Sequence, residues 1–213
     1  MIRVLIADDH PVVAEGLRRL LAEQPDMTVI GCVENGREAV RRAVEEQPDV
    51  VVMDNAMPEL NGIDATQSIR KRSPRTHVLM LSMHTDGEHV IRALRAGASG
   101  YVAKRSAARE VVDAVRTVSA GRRYLQEPLA SELLRAVSDP ELAEDPLARL
   151  SSRERQVLQQ LAEGRTTAEI AESLSLSPRT VETYRARMMQ KLGVHELAGL
   201  VRFAIQRGLV PLE

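Results

Sequence analysis

Three carboxylates, a lysine and a serine in the first half of the chain have the types and positions that phosphoryl chemistry needs. Asp8 and Asp9 end one apolar run, Asp54 ends another, Ser82 a third, and Lys104 follows a fourth. Carboxylates brought together repel one another, and their pKa values rise unless a cation joins them. A hard divalent ion, Mg²⁺ above all, suits two carboxylates plus water and a phosphate. Lysine offers a mobile point charge that can pair with an anion, and Ser82 offers a small hydroxyl. Cation, ammonium and hydroxyl together would neutralise a phosphoryl group built on one carboxylate, which is electrostatic stabilisation of in-line transfer. Taken singly, each residue has an ordinary reading as a turn, a helix cap or a solvated charge. Five of them, each at the carboxyl end of a strand, do not.

The elements that must bring them together are legible in the pattern. Short apolar runs at Val4–Ala7, Thr28–Val33, Val50–Met53, Val78–Ser82 and Gly100–Ala103 read as strands, several of them continuous in Val, Ile and Leu as in parallel strands buried on both faces. Amphipathic stretches at Val12–Glu23, Arg37–Glu46, Ile63–Lys71, Glu88–Ala96 and Arg109–Ala120 alternate with them. Five βα units in a row predict an α/β flavodoxin-like (βα)5 domain, whose site forms where the carboxyl ends of the strands open into loops. Cys32 lies in the second run and reads as a small buried residue; as the single cysteine it excludes an internal disulfide.

After Tyr124 the pattern changes. Ala130–Val137 reads as one more helix, and Ser138–Pro146, acidic and with two prolines, reads as a linker. From Leu150 on, the pattern predicts a small all-α domain. Ser151 with Glu154, and Thr166 with Glu169, are capping boxes; Ser177 and Pro178 are an N-cap and a first-turn proline; Gly164 and Gly193 close helices. The predicted helices are Arg153–Glu163, Ala168–Leu174, Arg179–Leu192 and about Glu196–Arg207. On the third, Val181, Tyr184, Met188 and Leu192 form an apolar stripe, while Thr183, Ala186, Arg187 and Gln190 lie opposite with Glu182 at the edge. Such a helix suits a DNA major groove, and with the preceding helix and the turn Ser175–Ser177 it makes a helix-turn-helix.

Composition sets limits. The 213 residues, 44% hydrophobic and 28% charged with net charge −1, suit two soluble domains without a whole-molecule field. From Leu147 onward there are 10 Lys and Arg against 7 Asp and Glu, and before it 19 against 23, so a mildly basic domain follows an acidic one. With no Trp, 1 Phe and 3 Tyr, stacking platforms for single strands or RNA are scarce. The start of the chain reads as a strand and not a signal peptide, and no apolar run is long enough to span a bilayer, which predicts a cytoplasmic protein.

Asp8-Asp9, Met53-Asp54 with Met57-Pro58 and Asn61-Gly62, Ser82, and Tyr101 three residues before Lys104 together resemble the receiver domain of two-component response regulators, over roughly Met1–Arg122. The resemblance implies Asp54 as phosphoacceptor and Asp8, Asp9, Asp54 and the carbonyl of Ala56 as Mg²⁺ ligands. It implies Ser82 and Lys104 on the phosphoryl oxygens, Tyr101 as an aromatic that swings inward as Ser82 engages, and Pro58 as shaping the loop after Asp54. Asn55 stands where an apolar residue is more usual, and Arg105 where proline often follows the lysine. From Leu147 onward, Leu150-Ser151-Ser152-Arg153-Glu154, Glu163-Gly164, Glu169-Ile170-Ala171, Ser177 to Arg187 and Lys191-Leu192-Gly193 resemble the LuxR-type DNA-binding domain. Coupled to a receiver, this is similar to the NarL/FixJ family. It implies base contacts from Glu182 (many relatives carry lysine there), Thr183 and Ala186, and phosphate contacts from Arg179, Thr180, Arg187 and Lys191. It also implies a dimer contact on the last helix, where Ala198, Val201 and Ile205 are a candidate seam.

The implied organisation is a receiver over residues 1–122, a linker with a short helix over 123–146, and a DNA-binding domain over 147–213. The implied partners are a sensor histidine kinase, double-stranded promoter DNA and a second copy of the chain, with no membrane and no enzymatic activity beyond its own phosphotransfer and dephosphorylation. The alternatives are a regulator that binds DNA without phosphorylation, a phosphatase-like enzyme using Asp54 as nucleophile, and a helical protein-binding adaptor at the C-terminus.

Overall fold

A computed structural model describes residues 1–106, 108–127, 129–131, 133 and 145–210, and the chain divides into two compact units, Met1–Ala143 and Glu144–Glu213. In the first unit, strands β1 (Ile2–Ala7), β2 (Met27–Val33), β3 (Val50–Asp54), β4 (His77–Ser82), β5 (Gly100–Ala103) and β6 (Tyr124–Leu125) form one parallel sheet in the order β2-β1-β3-β4-β5-β6. Helices α1 (Pro11–Ala22), α2 (Gly36–Glu46), α3 (Gly62–Arg72), α4 (Gly87–Ala96) and α5 (Ala108–Ser119) make the crossovers. Strand alternation sorts the core into two layers. Val4, Ile6, Val50, Val52, Leu79, Leu81 and Val102 pack with α1 and α5, while Leu5, Ala7, Val51, Met53, Val78, Met80 and Tyr101 pack with the opposite helices.

The five βα units match the sequence pattern to within about two residues. Two features do not. The sheet gains β6, too short for a hydrophobic pattern to reveal, and Leu125, Leu129 and Leu133 join the core layer of Tyr101. Cys32, expected to be buried, is exposed: β2 is the edge strand, and only its end residues Met27 and Val33 are buried. The helix expected over Ala130–Val137 and the linker Ser138–Pro146 lie mostly outside the described residues; Ala130, Ser131 and Leu133 are helical, and Asp145 caps a 3₁₀ turn at Pro146–Arg149.

The second unit holds α6 (Ser152–Ala162), α7 (Thr167–Leu174), α8 (Pro178–Leu192) and α9 (Leu197–Gln206). Both capping boxes form, Ser177 caps α8, and Gly164 (φ +78°) and Gly193 (φ +66°) take the left-handed conformation that ends a helix. Val157, Leu158, Ile170, Val181, Met188, Leu200 and Ala204 are fully buried at the centre. Glu154, only 3% exposed, accepts bonds from Lys191 Nζ at 2.9 and 2.7 Å, which ties the start of α6 to the end of α8.

That pair makes the helical unit acid-sensitive. Burial raises the Glu154 carboxyl, but Lys191 and the Ser151 cap outweigh it and hold the pKa below the usual value. A depressed folded-state pKa gives stability that is present above the unfolded carboxylate value of about 4.3 and lost as pH falls through the folded value. The protection factors of α6 and α8 amides in the full chain, taken relative to intrinsic exchange at each pH, should therefore fall from pH 5 downward. Glu154→Gln should flatten that dependence and cost about 1–3 kcal/mol at neutral pH, less than a fully buried pair because Lys191 is 41% exposed.

Candidate functional site

The strand order puts β1 beside β3, and β3, β4 and β5 side by side, so their carboxyl ends open on one edge. Asp8 and Asp54 are almost fully buried there, Asp9 is partly buried, and Ser82 is buried. Lys104 Nζ lies 2.6 Å from Asp54 Oδ2, in a hydrogen bond, and 2.9 Å from Asp8 Oδ2, in an ion pair. The structure thus brings together four of the five groups on which the sequence argument rests. Ser82 borders them at the end of β4, where its Oγ accepts from His84 N at 3.0 Å.

Three carboxylates face one ammonium. Burial, opposed by Lys104 and reinforced by Asp8, pushes the Asp54 carboxyl up to about 6. Burial works against the Lys104 ammonium, yet Asp54 and Asp8 more than offset it and raise its pKa. Asp8 Oδ2 and Asp9 Oδ1 are buried and accept no hydrogen bond among the described residues, although Asp9 Oδ1 faces His10 Nδ1 at 2.9 Å. Asp8, Asp9, His10 and Asp54 offer ligand atoms within 4.8 Å of one another, so the cluster can hold a metal ion. Oxygen-rich, negative and only partly satisfied, it fits a hard divalent cation. His10 joins the cluster although the sequence marks it only by its place directly after Asp8-Asp9.

The loop after Asp54 is built around close approaches. Gly62 N donates to Asn55 O at 2.8 Å, and a Cβ on Gly62 would lie 2.0 Å from the Asp54 carbonyl oxygen, so only glycine lets α3 start against the carboxyl end of β3. Asn61 caps α3 through Asp64 N. Ala56 lies in this loop, half-buried, two residues beyond Asp54, and the peptide before Pro58 is trans.

Tyr101 is already inside. It is 1% exposed, and its hydroxyl donates to the His84 carbonyl at 2.7 Å. The Lys104 loop has a brace that sequence reasoning missed. Gln126, just past β6, accepts from Ala103 N at 3.2 Å and Ser106 Oγ at 2.9 Å and donates to Glu110 at 2.6 Å. Nothing in local pattern marks a single glutamine beyond the last expected strand.

In the helical unit α8 turns Arg179, Glu182, Thr183, Ala186 and Arg187 to solvent, with Thr180 half-buried, while Val181 and Met188 are buried and Tyr184 and Leu192 pack against the core. Four candidate contacts have internal partners: Glu182 accepts from Thr167 Oγ1 at 2.8 Å, Lys191 holds Glu154, the Thr180 hydroxyl pairs with that of Ser177 at 2.8 Å, and the Thr183 hydroxyl donates to the Arg179 carbonyl at 2.9 Å. On α9 the domain core takes Leu200 and Ala204, leaving Ala198 exposed and Val201 and Ile205 half-buried.

An acidic pocket at the carboxyl edge of a flavodoxin-like sheet, on the same chain as a helix-turn-helix, defines a two-domain response regulator. Residues 4–116 match the response regulator receiver domain, and residues 148–204 match the bacterial regulatory proteins of the luxR family. The chain belongs to the NarL/FixJ family of two-component response regulators, a family of DNA-binding transcription regulators. It is 38% identical over 213 residues to the response regulator UvrY of Escherichia coli K12, covering 100% of this chain and 98% of that one. It is 36% identical over 210 residues to the response regulator GacA of Pseudomonas viridiflava, covering 99% and 98%. Among solved structures, RcsB from Salmonella enterica serovar Typhimurium bound to promoter rprA with the phosphomimetic BeF3⁻ superposes with a TM-score of 0.65 at 27% identity, covering 95% of this chain and 97% of that one. No described helix is long and apolar enough to cross a membrane.

The charge imbalance has a measurable consequence. Without divalent ions, Asp9→Asn removes one repelling carboxylate and leaves both Lys104 pairs intact, so it should raise stability by about 0.5–1 kcal/mol and Tm by a few degrees. The same variant should lose most of the Tm increase that Mg²⁺ gives the unaltered chain, since an ion stabilises only as far as the folded state binds it. Thermal melts with and without MgCl2 read both effects.

Proposed function

We propose that this protein is a phosphorylation-controlled transcription factor in which Asp54 accepts a phosphoryl group from a histidine kinase and the acylphosphate governs dimerisation and sequence-specific DNA binding. The observation that carries the reading is Lys104 Nζ at 2.6 Å from Asp54 Oδ2 and 2.9 Å from Asp8 Oδ2 inside a pocket where Asp8, Asp9 and Asp54 crowd together. Asp8, Asp9, Asp54 and the Ala56 carbonyl would hold Mg²⁺. When bound, the ion supplies positive charge that offsets the phosphoryl oxygens as they meet the carboxylates.

In the transfer an Asp54 oxygen attacks phosphorus, the P–N bond to the donor imidazole breaks, and the nitrogen keeps the electron pair. The Lys104 ammonium, already charged and aimed at Asp54, takes up the new negative charge, and the Ser82 hydroxyl reaches a phosphoryl oxygen. Ser82 Oγ then exchanges its present partner, His84 N, for the phosphoryl group. Tyr101 lies in the interior with its hydroxyl on the His84 carbonyl, the arrangement that phosphorylation would favour. Gln126 links the Lys104 loop to the segment after β6, a route by which that loop can act on the linker.

Residues 1–122 act as receiver, 123–146 as linker, and 147–213 as the DNA-binding domain, in the cytoplasm. Glu182, Thr183 and Ala186 face base edges; Arg179, Thr180 and Arg187 meet phosphates, and Lys191 does so in competition with Glu154. A two-fold dimer formed through the α9 seam reads an inverted repeat; RcsB has been observed as two dimers bound to two parallel DNAs. The protein acts on no external substrate. Binding without phosphorylation is the second reading, and the intact set Asp8, Asp9, Asp54 and Lys104 weighs against it.

Incubation with acetyl phosphate and Mg²⁺, followed by intact mass measurement, should show one added phosphoryl group on the unaltered chain and none on Asp54→Ala; equal labelling of the variant removes Asp54 as acceptor. For DNA, Arg187→Ala should weaken binding alike to operator and unrelated duplex and lower the slope of log K against log salt by about 1. A loss confined to the operator would make Arg187 a base reader instead.

A further inference from the structure

Among the described residues a second group of side chains can share an ion: His84, Asp86 and His89, whose candidate ligand atoms all lie within 4.8 Å of one another. We propose that this trio, between β4 and the first turn of α4, binds a transition-metal ion of the Zn²⁺ type; the proposal does not depend on phosphorylation of Asp54.

Two imidazoles and one carboxylate form the donor set of an open zinc site, with a fourth position for water. The same set is poor for Mg²⁺, which seeks oxygen, so the two clusters of this unit differ in the ion they select. The backbone fixes all three residues. Asp86 is the N-cap of α4 and accepts from His89 N at 3.2 Å. His89 Nδ1 lies 2.8 Å from both Asp86 oxygens, with its ring buried, while the Asp86 side chain is 55% exposed, which leaves an approach from solvent. His84 is held through its main chain by Ser82 Oγ and by the Tyr101 hydroxyl. Its ring stacks on that of His89, with centroids 4.4 Å apart and planes within 8°.

Helix capping explains Asp86 against the His89 amide. It does not explain a second imidazole stacked over the first, which is what completes a three-donor set. Bonds of about 2.0–2.1 Å at tetrahedral angles separate donor atoms by about 3.4 Å, and each imidazole must aim a ring nitrogen at the ion in its own plane, so closure takes rotation of one ring out of the parallel stack. The ion takes the place of the hydrogen bond between His89 Nδ1 and Asp86, and the neutral His89 ring then carries its proton on Nε2. Because the His84 carbonyl accepts the Tyr101 hydroxyl, an ion fixing His84 also fixes the loop that keeps Tyr101 inside. Metal occupancy would thus bias the same element that phosphorylation is proposed to bias.

The test is calorimetric titration of the untagged full-length protein with ZnCl2 in saturating MgCl2, paired with ¹H–¹⁵N spectra of the histidine side chains. The expected result is one equivalent bound, with the His84 and His89 signals shifting and those of His77 and His195 still. Affinity should fall at least about tenfold in His84→Ala, in His89→Gln and in Asp86→Asn. The last keeps a good N-cap residue and so preserves the helix. Absence of binding, affinity unchanged in all three variants, or shifts confined to His10, which would place the ion in the acidic pocket, each overturn the proposal.

Discussion

A single buried ammonium faces three carboxylates at the edge of the sheet. Lys104 touches Asp54 and Asp8 but cannot neutralise Asp9 as well. The pocket therefore carries net negative charge in surroundings that screen charge poorly, and burial lifts Asp54 to about 6. Such a site is unstable toward any event that changes its charge: it favours a cation, and Lys104 is already positioned to meet a group added to Asp54. Everything else in the first unit serves to hold those side chains at one point.

The sheet does so by topology. Parallel strands bring all carboxyl ends to one side, and placing β3 between β1 and β4 makes residues 46 positions apart into neighbours. Gly62 lets the loop after Asp54 return so closely that no side chain would fit. Around the pocket, hydrogen bonds run outward along two routes: Ser82, His84 and Tyr101 toward α4, and the Lys104 loop through Gln126 toward the segment beyond β6. Both are short chains of buried or half-buried groups in which one altered partner obliges the next to find another, the physical basis for transmitting a local charge change.

The helical unit uses a related economy of charge for a different end. Glu154 closes a capping box and at once receives Lys191, so two helix ends are fixed by one carboxylate. That leaves α8 free to present a continuous exposed row from Arg179 to Arg187 while Val181 and Met188 anchor its back. Lys191 shows the cost of assigning roles by helical position: a cation near the C-terminus of a helix proposed to face DNA suits a phosphate, yet its ammonium is held against a buried acid.

Much was determined by the sequence alone. Period-two and continuous apolar runs fixed five strands, 3.6-residue periodicity and capping residues fixed the helices, and the receiver and LuxR-type motifs fixed the family, because these signals are local and each element carries its own. Tertiary structure alone decided the rest. β6 is too short to have a period; Cys32 is exposed because its strand lies at an edge; Tyr101 is inward because a carbonyl on a neighbouring strand's loop accepts its hydroxyl; and Gln126, His10 and the His84–Asp86–His89 trio gain meaning only from what stands beside them. Burial and pairing are properties of neighbours brought close by the fold, and no window along the chain contains both partners of Lys104.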